Sequence, residues 1–213
     1  MLPAPYSEQE IRRFLMLTRS VANGAIVYAG APDAGWYAEC WMPAPYSALS
    51  VANYFLSKEP MTVMRLQKLV FYAHGIYLAE RGKPLIFDHI QAWKWGPVIP
   101  VLYQAFKHFK DREITEQATV VMPSGGTSMV VMPVAPPEAS DAVAILEDTW
   151  RLLGRFSAAK LSNATHQPGT PWHEVYQRSM DEHGKLVPNL RIENERIEAF
   201  FRQLLRKNGD VAV

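Results

Sequence analysis

Cysteine is almost absent from this chain. Cys40 is the single one in 213 residues, which excludes an intramolecular disulfide and a cysteine-based zinc site and fits a reducing compartment. Long apolar runs are missing too: none approaches the ~20 residues that a membrane-spanning helix needs. The N-terminal stretch Ser-Glu-Gln-Glu-Ile-Arg-Arg-Phe puts charges where a signal peptide has its apolar segment. Together these absences predict a cytoplasmic protein without a membrane partner. Neither sign of charge dominates. The 22 Lys and Arg almost cancel the 21 Asp and Glu, which argues against a broad basic face for nucleic acid. Catalytic signatures are lacking as well. Residues 123–128 are glycine-rich, but no Gly-Lys-Ser/Thr follows and no helix is expected to start there, so they form no P-loop. There is no Gly-x-Ser-x-Gly elbow and no dinucleotide fingerprint.

Apolar residues make up 48% of the chain, enough to build a core in one domain plus an appendage, or at most in two small domains. Residues 1–41 differ from the rest. Ser7 and Glu10 form a capping box for one short helix, and a Gly-, Ala- and Pro-rich stretch without periodicity follows as a linker. Met-Leu-Pro-Ala-Pro-Tyr-Ser at 1–7 nearly recurs as Met-Pro-Ala-Pro-Tyr-Ser at 42–47. The division read from this is an N-terminal extension, 1–41, and a compact domain, 42–213.

Within the compact part the pattern is mainly α, of the α+β kind: a helical domain with a small central antiparallel hairpin. Leu49, Ala52, Tyr54, Phe55 and Leu56 predict a short amphipathic helix. Pro60 and Thr62 open a long one, with a buried stripe at Leu66, Leu69, Val70, Ala73, Ile76, Tyr77 and Leu78, and Gly82 as its C-terminal cap. Residues 84–95 read as extended, and Pro97 and Pro100 lead into a helix over about 99–109. Two Val-Val-Met runs flank Ser-Gly-Gly and predict the hairpin. Further helices are expected up to Gly154, after Ser157, and over 194–207.

The stretch Gln-Ala-Trp-Lys-Trp-Gly-Pro-Val, residues 91–98, is unusual for its two tryptophans around a lysine. If extended, Trp93 and Trp95 share one face and Lys94 points away, and Gly96-Pro97 turns the chain. That tryptophan face is either core or a docking ledge.

Two chemical alternatives follow from the polar residues. His173-Glu174 begins like a metalloprotease helix, but position 177 is Gln where a second histidine belongs. His166, His173 and Glu174 are therefore the candidate set for a metal-dependent hydrolase. Arg65, Lys68, Lys107 and Lys110 are the candidate set for nucleic-acid contact, although solvated helix faces account for such charges equally well.

Three separated stretches carry a more specific pattern. They are Arg65-Leu-Gln67-Lys68-Leu with the following Gly-x-Pro-Leu and Ala-Trp-x-aromatic-Gly96-Pro97-Val; then Leu-Ser-x-x-Thr165-His166 with Pro171-Trp172; then the terminal Ile-Glu-Asn-Glu-Arg-Ile-Glu-Ala-Phe-Phe. In this order they resemble the Panacea domain of the SocA-like antitoxins, a family also described as phage-associated GepA-type proteins, over about residues 46–201. Trp95 stands where the family often has Tyr, and Gln-Pro-Gly-Thr lengthens the link between Thr-His and Pro-Trp. The resemblance implies an antitoxin of a bacterial or phage toxin-antitoxin system. Such a protein neutralises a cognate, adjacently encoded toxin by direct binding, and SocA-like members are also associated with a second role, as adaptor to an AAA+ protease of the ClpXP kind. The resemblance implies no catalytic residue, metal or cofactor; residues 1–41, too short for a helix-turn-helix domain, argue against nucleic acid as a partner. Trp93, Lys94, Trp95, Tyr103, His166 and Trp172 are the candidate toxin contacts. Arg65, Gln67, Lys68, Gly96, Pro97, Thr165 and Pro171 are the family-signature set, expected to be structural.

Overall fold

The computed structural model describes residues 44–123, 129–179 and 190–207. The expected N-terminal helix and linker, Cys40 and the Ser-Gly-Gly turn lie outside these residues. The fold is mainly α with small antiparallel sheets, as the sequence predicts. Ser47 caps α1 (Ala48–Leu56), its side chain accepting from the Ser50 N–H. Thr62 caps α2 (Val63–Arg81) in the same way, accepting from the Arg65 N–H, and Gly82 ends that helix in the left-handed conformation. Then follow α3 (Pro100–Phe106), closed by a 3-10 turn at Lys107–Phe109, α4 (Ser140–Leu153), α5 (Ala158–Thr165), α6 (Pro171–Arg178) and α7 (Asn194–Lys207).

The strands are short. β1 (Met61–Thr62) pairs with β4 (Glu113–Ile114). β2 (Ile90–Trp93) lies between β3 (Gly96–Val98) and β7 (Arg191–Ile192), both antiparallel to it. β5 (Thr119–Pro123) and β6 (Met129–Pro133) form the expected hairpin. The β1–β4 and β2–β7 pairings carry no local signal, because two-residue strands are selected by what packs against them.

One expectation about α2 needs correcting. The sequence reads as a one-sided stripe, yet from Leu66 to Leu78 every residue is buried. The helix is the axis of the domain, packed against α7, α4, α5, α1 and β3. Helix α7 comes closest at Gly75, where a β-carbon would overlap the Phe201 ring. That ring stands edge-on to Phe71 and Tyr72 at 5.9 and 6.0 Å. Polar side chains inside this helix survive because each is paired. His74 is fully buried; its Nε2 lies 2.9 Å from Asn194 Oδ1, and its Nδ1 accepts from the Ile86 N–H. This sets the neutral tautomer, and burial pushes its pKa down to about 4.

Candidate functional site

The candidate site is the turn between β2 and β3. Strand register pairs Trp93 with Gly96, so Lys94-Trp95 is a two-residue loop. This corrects two sequence expectations. The chain turns at Lys94-Trp95, and Gly96-Pro97 already begins the returning strand. The alternation ends at Trp93, so Trp93 and Trp95 do not share a strand face. Gly96 has φ +102, and a β-carbon there would lie 2.8 Å from both Lys68 Nζ and Thr165 Oγ1. Backbone conformation and close approach both require glycine.

Four side chains from remote elements hold the backbone of this turn. From α2, Lys68 Nζ donates to the Pro97 carbonyl at 3.0 Å. One residue earlier, Gln67 bridges Ile99 both ways, accepting its N–H at 2.8 Å and donating to its carbonyl at 3.0 Å. From α5, the Ser162 hydroxyl donates to the Trp95 carbonyl at 2.9 Å. From α6, the Trp172 indole N–H donates to the Trp93 carbonyl at 2.8 Å. His166 adds a longer contact, Nε2 to the Lys94 carbonyl at 3.4 Å, while its ring lies 3.9 Å from that of Trp172. Thr165 and Thr170 tie α5 to α6: the Thr170 hydroxyl donates to the Thr165 carbonyl at 2.6 Å and accepts from the His173 N–H, with Pro171 in the first turn.

Lys68 is 1% exposed. Burial away from water pushes its ammonium down to about 7. It is therefore a strut and offers nothing to a phosphate, which corrects its place in the basic set. Arg65 is also taken: it pairs with Glu59 and lies over the Trp150 ring, remote from the turn. Lys107 and Lys110 remain exposed, but two separated lysines make a poor nucleic-acid footprint.

The hydrolase set does not converge. Glu174 accepts from Arg196, and both His166 nitrogens face backbone carbonyls. Among the described residues no three His, Cys, Asp or Glu side chains are grouped as metal ligands.

The turn presents an aromatic surface. Trp95 is 62% exposed, with Lys94 Nζ 5.1 Å from its ring centre. Trp93 is half-buried and stands edge-on to the exposed Tyr103 at 5.0 Å, its indole N–H donating to Gln91 Oε1 at 2.8 Å. Trp172, by contrast, is buried and stacks on Tyr176 at 4.5 Å. Its burial and its bond to Trp93 place it beneath the turn, out of reach of a partner. Sequence reasoning missed the role of Ser162. Its signal was its place in the Leu-Ser-x-x-Thr-His run, one helical turn before His166.

Comparison with known proteins bears on the same residues. The family described as antitoxin SocA-like, Panacea domain, matches residues 66–173. The chain belongs to this family. Antitoxin SocA of Caulobacter vibrioides (strain NA1000 / CB15N) is 34% identical over 138 residues, covering 62% of this chain and 72% of the relative. No solved structure gives a significant match. The matched span runs from α2 through the turn to the start of α6, so it contains nearly all of the turn and its supports. Family membership supports an antitoxin role and a toxin as the cognate partner, and it suggests a non-enzymatic protein. Among the described residues no helix is long and apolar enough to cross a membrane.

Proposed function

We propose that this chain is a cytoplasmic antitoxin that neutralises an adjacently encoded toxin by direct binding, and that the β2–β3 turn is the docking site. The observation that carries the reading is Trp95, an exposed indole on a backbone held by Lys68, Gln67, Ser162 and Trp172. A preorganised aromatic loses little conformational freedom on binding, which is why tryptophan dominates so many protein interfaces. Trp93, Lys94 and Tyr103 complete the surface, with Lys94 as its positive edge. In the fuller form of the proposal the bound toxin is handed to a ClpXP-type protease.

The test is co-expression with the neighbouring open reading frame. The chain rescues growth and co-purifies with the toxin. Trp95→Ala weakens that complex by about 2 kcal/mol or more, as for a central aromatic anchor, while leaving the urea midpoint unchanged. Rescue that vanishes in a protease-deficient strain assigns the adaptor role; rescue that persists assigns sequestration. No rescue and no complex removes the proposal.

A further inference from the structure

Among the described residues nothing covers either face of the β5–β6 hairpin. Directly opposed residues of an antiparallel pair point to the same side. Val120 and Met132, 39% and 51% exposed, thus share one face, and Val121 and Val131, 56% and 63% exposed, share the other. Among the described residues each strand pairs only with the other. A lone two-stranded ribbon is marginal in water, and natural edges are usually guarded by charge. Charge does not guard this one: the 21 residues from Gln117 to Pro137 contain none.

The ribbon is nonetheless aimed. Asn53 is fully buried and clamps both legs at the root. Its Nδ2 donates to Ala118 O at 2.9 Å and Val134 O at 2.7 Å, and its Oδ1 accepts from the Ala118 N–H at 2.7 Å. Ser50 Oγ donates to Ala135 O just beyond. Beside this root lies a groove of about 480 Å³ lined by Pro45, Tyr46, Phe87, Val134, Ala135 and Pro136, with Glu138 its sole charge. Phe87 is 65% exposed there. Among the described residues an apolar arm without a cover and an apolar groove without an occupant thus lie side by side.

We propose that the occupant is a second copy of this chain, with the two copies exchanging β5–β6 arms reciprocally into each other's groove. Edge-to-edge pairing of two ribbons would leave all four exposed side chains in water, whereas a groove covers a face. Because the arm's root forms part of the groove wall, one two-fold axis near the root seats both arms at once. Identical copies also bring identical charges together, and an uncharged arm avoids that repulsion. The inference is independent of the antitoxin reading, since it concerns the protein without its toxin.

The test is sedimentation equilibrium on the full chain over a range of concentrations. The wild-type chain is a dimer. Val131→Asp on the arm and Phe87→Asp in the groove each raise the dimer dissociation constant by about a hundredfold or more, the effect of burying an unpaired charge. Both positions are exposed in the monomer, and circular dichroism confirms that the variants fold. Mixing the two variants restores a heterodimer, because one arm–groove pair is intact. A wild-type monomer at every concentration overturns the proposal. So does a dimer untouched by Phe87→Asp, which would mean simple ribbon pairing. A full chain that dimerises only after removal of residues 1–43 assigns the groove to its own N-terminus and overturns it. A monomer whose toxin binding falls with both variants assigns the arm to the toxin and overturns it equally.

Discussion

Lys68 is the residue at which charge and packing conflict most. Its ammonium lies in the core with one recorded hydrogen bond, to the Pro97 carbonyl. The folded chain releases its proton near pH 7, whereas the unfolded chain holds it to the ordinary value of 10.5. Between those values the unfolded state binds more protons, so stability rises with pH. Each unit of the window is worth roughly 1.4 kcal/mol, and the whole on the order of 5 kcal/mol. Urea midpoints at pH 7 and 9.5 should show this rise, and Lys68→Met should flatten it. The measurement stays below pH 10, because burial raises the Tyr72 phenol and ionisation of the unfolded chain then acts in the opposite direction. Charge pattern alone reads Lys68 as a solvated helix face, whereas the family resemblance sets it among the structural residues. A lysine in a helix gives no local sign of burial; the apolar neighbours that desolvate it come from other elements.

At the scale of elements, helix starts and stops were legible because their chemistry is local. Thr62, Gly82 and Ser157 perform the capping that their positions predict. The β5–β6 pairing was legible from its repeated Val-Val-Met. The β2–β3 turn was placed two residues late, since Lys94-Trp95 carries no turn preference and its geometry is imposed by Lys68, Ser162 and Trp172 from elsewhere in the chain. The root of the β5–β6 hairpin is held similarly, by Asn53, which its sequence context does not distinguish. Asn53→Ala leaves the Ala118 N–H and the Val134 carbonyl without their partner, while the Ala118 carbonyl keeps its bond from the Val134 N–H, at a cost of about 1–3 kcal/mol. Hydrogen exchange should accelerate in 118–121 and 131–134 by more than in α7, which Asn53 does not bond. Uniform acceleration would show that the arm has no separate anchor.

For the molecule as a whole, α2 is the axis on which the other elements assemble, and its contact with α7 sets how closely the C-terminal helix docks. Gly75 permits that approach. Gly75→Ala should destabilise the domain by about 1–3 kcal/mol through overpacking against Phe201, even though alanine is the better helix former. A urea midpoint that rises instead would mean that α7 has room to move. The same architecture separates two kinds of tryptophan. Trp172 lies under the turn and Trp95 on it, so stability and partner binding can be perturbed independently.

Helical class, capping, the hairpin and family membership follow from local residue patterns, because propensity, periodicity and motif order act within short windows of chain. Which signature residues are struts and which are surface does not. Gln67, Lys68, Thr165 and Trp172 became a scaffold, and Trp95 an exposed tip, only when α2, α5 and α6 met around one turn. Burial is a property of what surrounds a side chain, and those surroundings come from segments up to 79 residues away in sequence.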